Sequence, residues 1–425
     1  MTTLEAHVPH DRSPDSTLAV WRDGYGFISK RCRRYGSDAF RTRILGQRAI
    51  CLHGPKAAHL FYDATRFERR DAVPKRVQKT LTGERGVQTL DGAAHQDRKR
   101  MFMSLMTPAS VDALVQIVVA EWRDALDRWA AEPRVILFDE VQRLLCRSVC
   151  KWAGVPLGDD DVVARAGDLG VMVDGFGGAG PRNWRGRRAR RRCEAWIAAV
   201  VDDVRAGRLE TAAGTATAVI ARHRDPAGRL LDRQVAAVEL LNVLRPVVAI
   251  ATYVTFAALA LHDHPESRER IRSGDEEAAE LFVQEVRRFY PFTPFLGARV
   301  RSTFEWHGQV FEQGTLVLLD VFGTLHDPEL WDRPDLFEPE RFREWNENSF
   351  DFIPQGGGDY QMGHRCAGEW ITIALVKAAV QLLAGAMDYN VPAQDLRVSL
   401  HRIPTLPRSR FLISHVRNTV AAGPP

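Results

Sequence analysis

The 425-residue chain is 45% hydrophobic and 26% charged, with a formal net charge of +4. These are ordinary globular values with length enough for a large core, and the charge excess is too small to suggest a nucleic-acid-binding protein. Six scattered cysteines (Cys32, Cys51, Cys146, Cys150, Cys193, Cys366) with no CxxC pair or zinc spacing exclude a disulfide framework and fit a reducing cytoplasm.

The N-terminus, MTTLEAHVPHDRSPDSTLAV, lacks the basic start and apolar run of a signal peptide, and residues 1–20 read as a loose leading segment. In LDGAAHQDRKRMF, His95 and Lys99 stand at i, i+4 on a predicted helix. SVDALVQIVVAEWRDALDRWAAE, after Pro108, has the helical period. GFGGAG (Gly175–Gly180) matches GxGxxG in form only; without a βαβ unit around it, it reads as an inter-helix loop. PRNWRGRRARRRCEAW (Pro181–Trp196) carries seven arginines at the start of a helix, which reads as a solvated basic face rather than a nucleic-acid patch.

DRQVAAVELLNVLRPVVAIATYVTFAALALH predicts one long helix with Arg245 and Pro246 at mid-span. Its apolar part, Pro246–Leu261, falls short of the roughly 20 residues of a membrane span. EEAAELFVQEVRRFY is helical and places Glu285 and Arg288 at i, i+3, in isolation an everyday ion pair. STFEWHGQVFEQGTLVLLD alternates and turns at HG and QG, predicting a small antiparallel sheet, and SRFLISHV predicts a late strand. No linker divides the chain. The expectation is one domain over residues 1–425, mainly α with a small β portion, cytoplasmic and without a membrane anchor.

FIPQGGGDYQMGHRCAGEW (Phe352–Trp370) ends in a cysteine at the mouth of an apolar helix. Sulfur there meets the positive end of the helix dipole and unpaired N–H groups, which favour thiolate. The GGG run, Gly363 and Gly368 let backbone approach something flat. The residues alone leave Cys366 open as a nucleophile, a metal ligand or a structural thiol; His364, two residues away, supplies no base geometry by itself.

An E-x-x-R helix (Glu285, Arg288), then EPERF with Arg341, then a glycine loop with a helix-opening cysteine, in this order, resembles the cytochrome P-450 (haem-thiolate) superfamily from about residue 20 onward. The resemblance implies the cytochrome P-450 fold, haem b (iron protoporphyrin IX), and Cys366 as axial ligand to the haem iron. It implies a structural network of Glu285, Arg288 and Arg341 behind the haem. His95, Lys99 and His364 would belong to the cofactor-binding residues, the first two reaching a propionate. Most of the superfamily has phenylalanine seven residues before the cysteine; here Asp359 stands there and Phe352 is displaced upstream. FIPQGGGD…GHRCAGEW is nevertheless similar to one branch, the bacterial fatty-acid peroxygenases.

Arg245 has no anion within one helical turn: its neighbours are Leu241, Asn242, Val248 and Ala249. An unpaired buried guanidinium is destabilising by several kcal/mol, so a distant carboxylate or a ligand must meet it. In monooxygenases of the superfamily this helix carries an acid–alcohol pair; here LRPVV replaces it, as in the peroxygenase branch. The resemblance implies a salt bridge from Arg245 to the carboxylate of a long-chain fatty acid, with hydrogen peroxide as oxidant and no obligatory redox partner. The carboxylate would then serve as acid–base in peroxide activation. Hydroxylation would fall on the α or β carbon, with decarboxylation to terminal alkenes as a side outcome.

By similarity, Pro246 shapes the distal helix, and Gln88 stands where members carry glutamine or histidine, glutamine going with hydroxylation. Thr82 replaces a bulky apolar residue. Val77, Val171, Val173, Phe292 and Ala249 are candidate acyl-chain contacts. Two other readings stay open: a monooxygenase fed by redox partners, and a non-catalytic haem or fatty-acid binding protein.

Overall fold

A computed structural model describes residues 8–419. It is 53% helical and 12% strand, so the expectation of a mainly α protein with a small β portion is met. The helices used below are α1 (Thr17–Asp23), α2 (Gly92–Met103), α3 (Pro108–Ala131), α4 (Leu137–Ala153) and α5 (Val162–Gly175). They continue with α6 (Pro181–Arg205), α7 (Arg233–Ala249), α8 (Ala251–Asp263), α9 (Glu276–Phe289) and α10 (Glu369–Gln381).

Local chemistry sets their ends. Thr107 accepts from the Ser110 N–H ahead of α3, with Pro108 at the first helical position, and Asp275 accepts from the Ala278 N–H ahead of α9. Along α3, Val111, Leu114, Val118, Trp122 and Ala125 recur at helical spacing and form its buried stripe. α7 differs: Asp232 caps it, and every residue from Val235 to Arg245 is buried. A helix apolar on all sides belongs to the centre of a protein. Pro246 deprives the Asn242 carbonyl of its usual partner. Four residues later the helix breaks at Ile250, whose N–H bonds Val247 O at 3.1 Å, and resumes as α8.

By length and composition, the run Arg233–Asp263 could cross a membrane, as could Glu369–Ala386. This corrects the shorter apolar segment read from the sequence. The apolar windows of the two runs are 94% and 72% buried inside the protein, so their hydrophobicity is spent on the core.

Among the described residues, ten strands form three sheets: β1 (Ala39–Ile44), β2 (Gln47–Leu52), β3 (Phe67–Glu68), β4 (Val135–Ile136), β5 (Phe295–Val300), β6 (Phe304–Trp306), β7 (Gln309–Phe311), β8 (Leu316–Asp320), β9 (Met387–Asn390) and β10 (Leu412–Asn418). The predicted antiparallel sheet is half right. β6 and β7 form a hairpin turning at His307–Gly308, but β8 leaves it for the centre of a five-stranded sheet, parallel to β2 and antiparallel to β5. Alternation identified the strand and could not identify its partner. The late strand is β10, paired with β4 and β9.

The loose leading segment is corrected for residues 8–20; residues 1–7 lie outside those described. Asp11 pairs with Arg31 at 2.7 Å with both side chains buried, Ser16 is fully buried, and His10 bridges Arg41. One buried ion pair anchors a stretch whose composition reads as polar and unconstrained. Cys32, Cys51, Cys146, Cys150 and Cys193 are all buried free thiols, and Cys366 alone is partly accessible.

Candidate active site

The loop before α10 is built around Cys366. Its N–H donates to Gln355 O at 3.0 Å, and Gln355 Nε2 bonds Thr372 Oγ1 at 2.9 Å while lying 3.9 Å from the sulfur. Glu369, first residue of α10, is buried; it receives Arg365 Nε at 2.6 Å and is also paired with Arg287. Arg287 in turn bonds Gln355 Oε1 at 3.1 Å. The inserted glycines wrap Tyr62: Gly356 has φ +91°, and a Cβ on it would lie 2.9 Å from the Tyr62 hydroxyl. Phe352 packs with Trp331, Phe342 and Trp345 under the Arg287 guanidinium. Burial pushes the Cys366 thiol up, helped by Glu369; the Gly368 N–H, Lys99 and Gln355 pull it back.

Beside this loop lies a cluster of buried basic groups. Lys99 is pushed down to about 8 by burial and donates to Arg365 O. His95 stacks on His364 with ring centroids 3.8 Å apart, and burial with those two neighbours pushes it down to about 3. His364 Nε2 stands 3.8 Å from Asp91 Oδ1. Burial of Asp91 works against its ionisation, but His364 and the N–H groups of Arg69 and Arg70 hold it at about 2. Arg69, which sequence reasoning missed, is buried with its guanidinium 4.3 Å over the Phe61 ring. Among the described residues neither Lys99, His95 nor the Arg69 side chain has a carboxylate within ion-pair distance. Its position in FERRD offers no periodic signal.

The E-x-x-R and EPERF residues meet in one ion-pair network. Arg288 grips both Glu285 oxygens at 2.7 Å, and Arg341 Nε reaches Glu285 Oε1 at 3.3 Å. Arg288 also satisfies the carbonyls of Leu325, Pro334 and Leu336. A fully buried pair of this kind is sustained only when all its hydrogen-bonding groups are met.

Across the interior, Arg245 is 8% exposed, has no ion pair or hydrogen bond among the described residues, and leaves Nε buried without a partner. Burial brings its guanidinium down to about 9; Arg190 adds to this and Cys366 opposes it, so both lie within electrostatic reach. Arg190 projects from the buried face of α6, bonding Glu194 at 2.6 Å and Leu81 O at 2.6 Å.

Gln88 is half-buried and accepts from Asn242 Nδ2 at 3.3 Å. Asn242 also donates to Glu239 Oε2 at 3.0 Å, and Glu239 pairs through its other oxygen with Arg98 of α2. Burial pushes the Glu239 carboxyl up against the pull of Arg98. Glu239 is the hub that ties α7 to α2 and to the Gln88 turn.

The remaining candidates are more scattered. Pro246 and Thr82 are half-buried, and Thr82 Oγ1 lies 3.4 Å from Gly83 O. Val173 is half-buried on α5. Phe292 stacks on Tyr253 at 4.5 Å, and its carbonyl accepts from Tyr25.

A family model for cytochrome P450 matches residues 278–384. The chain is 51% identical to cytochrome P450SP alpha (CYP152B1) solved in complex with (R)-ibuprophen, covering 96% of this chain and 100% of that one at a TM-score of 0.93. It is 44% identical to cytochrome P450EX alpha (CYP152N1) solved with myristic acid, over 97% and 100% of the two chains at 0.94. It is 36% identical to a variant of cytochrome P450 OleT solved with arachidonic acid, over 97% and 99% at 0.94. Among curated proteins, cytochrome P450 3A40 of Oryzias latipes is 24% identical over 182 residues, 38% of this chain and 36% of that protein. The match thus spans about a third of that relative's length. The chain belongs to the cytochrome P450 family, whose enzymes carry a haem-thiolate cofactor. Within it, the chain falls in the CYP152 branch, that of the fatty-acid peroxygenases, which includes hydroxylases and decarboxylases.

The residues fit a haem. Cys366 offers the sulfur, the glycine loop leaves backbone close to it, and buried Arg69, His95 and Lys99 with half-buried His364 form a basic cluster suited to two propionates. A cation bound to the sulfur would also supply what burial withholds, the thiolate form.

Proposed function

We propose that this protein is a hydrogen-peroxide-dependent hydroxylase of long-chain fatty acids, acting at the α or β carbon, with terminal alkene as a minor product. The observation that carries the reading is Arg245: a buried guanidinium with an unpartnered Nε and no carboxylate of its own. A fatty-acid carboxylate completes it through two parallel hydrogen bonds. The three ligands named above in the related structures are all carboxylic acids.

In this reading haem b, held through Cys366 and the buried basic cluster, supplies the oxidising chemistry. Arg245 holds the acid's carboxylate where it takes a proton from peroxide and returns it to the departing oxygen. Contact distances of roughly 3–3.5 Å then leave only Cα and Cβ within reach. Pro246 shapes the distal helix at that point, its ring standing where a residue with an N–H would close the turn. Gln88 donates a hydrogen bond but cannot carry a proton, which favours hydroxylation over loss of carbon dioxide. Glu285, Arg288 and Arg341 brace the far side of the haem. The chain acts in this reading as a haem-thiolate enzyme that needs no obligatory redox partner.

The test is Arg245→Ala in protein whose haem spectrum is intact. Peroxide-driven turnover of palmitate should be lost, and Arg245→Lys should lose most of it because a point charge cannot grip both oxygens. Unchanged turnover by Arg245→Ala would sink the mechanism. Product formation with NADPH and a reductase system but not with peroxide would point to the monooxygenase reading instead.

A further inference from the structure

The arginine-rich start of α6 is left over from the chemistry above. Its buried face walls the distal side through Arg190 and packs on α7 and the 78–82 turn. Its outer face carries Trp184, 60% exposed, followed at i+4 and i+7 by Arg188 and Arg191, with Arg185 alongside. None of these three arginines has an ion pair or hydrogen bond from its side chain among the described residues. Arg182 and Arg192 of the same helix, by contrast, pair with Asp174 and Asp168. The row is therefore a set of free cations around an exposed indole, not a salt-bridged face.

A second apolar group lies nearby. On α1, Leu18 and Trp21 are 77% and 67% exposed and share a face at i, i+3. The segment Leu400–Ile403 joins the two regions: Tyr25 N–H donates to Leu400 O at 2.9 Å and His401 Nδ1 meets Arg22 O at 2.6 Å. Arg182 Nη2 donates to Ile403 O at 2.8 Å. Four residues span at most about 14 Å, so the end of α1 and the start of α6 sit side by side. Leu400 itself is exposed.

We propose that this patch, Trp184 with Arg185, Arg188 and Arg191 of α6 and Leu18 with Trp21 of α1, docks the protein on an anionic lipid surface. Free guanidiniums complement lipid phosphates, and exposed indoles with a leucine supply the amphipathic and apolar groups that settle at a headgroup boundary. A nucleic-acid face would use the arginines and stack bases on the indoles, but would leave the exposed Leu18 and Leu400 without purpose. The identity of the cargo rests on the fatty-acid reading above: an acyl substrate resides in such surfaces, and one helix would present lipid on its outside and the pocket wall on its inside. The docking itself does not depend on that reading.

The test is co-sedimentation of the haem-loaded full chain with phosphatidylcholine vesicles, with and without phosphatidylglycerol. Partition should be at least roughly tenfold stronger on the anionic vesicles and should fall by about that factor in Arg185→Glu/Arg188→Glu/Arg191→Glu or at high salt. Trp184→Ser should weaken binding at unchanged salt dependence. Equal partition on both vesicles, a triple variant that binds like the parent, or displacement from vesicles by RNA at lower concentration than by lipid phosphate would each overturn the proposal. If the triple variant fails to fold, the single variant Arg188→Gln with the salt series decides it by the same criteria. Peroxide-driven turnover of dissolved acid without vesicles should be the same in parent and triple variant. Its absence in the parent would count against the fatty-acid reading and leave the vesicle result standing.

Discussion

Asn242 donates to Gln88 Oε1 at 3.3 Å, and through that bond α7 decides which end of the Gln88 amide is committed. With the oxygen engaged, the NH₂ group is the end left to donate. Asn242 cannot turn freely, because the same nitrogen is held by Glu239, itself fixed by Arg98.

Gln88→His replaces an amide that carries no titratable proton by a group that titrates near neutrality. The expected outcome is a larger share of terminal alkene at the expense of hydroxy acid, varying with pH across the imidazole range. Gas chromatography of products from peroxide and palmitate reads the ratio directly. An unaltered, pH-independent ratio would place Gln88 away from the reacting end of the acid.

Glu239→Ala strands Arg98 as a buried, unpaired cation. The expected cost is about 3–5 kcal/mol of stability, measured by urea unfolding, with loss of haem retention as α2 shifts. Glu239→Gln keeps a bond to Asn242 and should cost less. If Glu239→Ala unfolds like the parent, the hub does not hold α2 and α7 together.

His53 lies between Asp320 and Asp327, with Nδ1 and Nε2 at 3.2 and 3.3 Å from their oxygens. Burial opposes its charge, but the two carboxylates outweigh burial and hold the imidazolium up to about 10, from an unfolded value of 6.5. A raised pKa stabilises fully below about 6.5, and the contribution is lost as pH climbs toward about 10. The thermal midpoint should therefore decline over that window in the parent. His53→Gln should start lower and show less of the decline.

Gly83 has φ +81°, and a Cβ there would lie 2.3 Å from Arg190 Nη2 and 2.5 Å from Val238 Cγ1. Gly83→Ala pays for a left-handed backbone and must also displace Arg190 from the pocket wall. The expected loss is about 1–3 kcal/mol, with altered α:β selectivity because Thr82 and Leu81 move with it. Unchanged stability and selectivity would show that the wall yields freely.

How far the sequence could be read depended on the distance each signal spans. Helical period found α3, α6, α7, α9 and α10, because each repeats within a few residues. The Glu285–Arg288 pair and the missing anion around Arg245 were legible for the same reason. Arg98 and Glu239 stand 141 residues apart, and nothing local in either announces the other. Arg69 acquires its meaning from the buried basic groups around it, which the fold assembles from α2 and the Cys366 loop. β8 shows the same limit: its alternation is local, its partnership with β2 is not.

The burial of the other five cysteines bears on how such a catalyst ages. Sulfur is attacked by peroxide where it is both exposed and thiolate-like. Burial drives the thiols of Cys32, Cys51 and Cys193 upward, so they remain protonated and shielded. In the peroxide-dependent reading proposed above, the oxidant would thus meet one accessible thiol, Cys366, the one that would hold the iron. Inactivation during prolonged turnover should then begin as bleaching of the cofactor, ahead of any thiol oxidation elsewhere in the polypeptide.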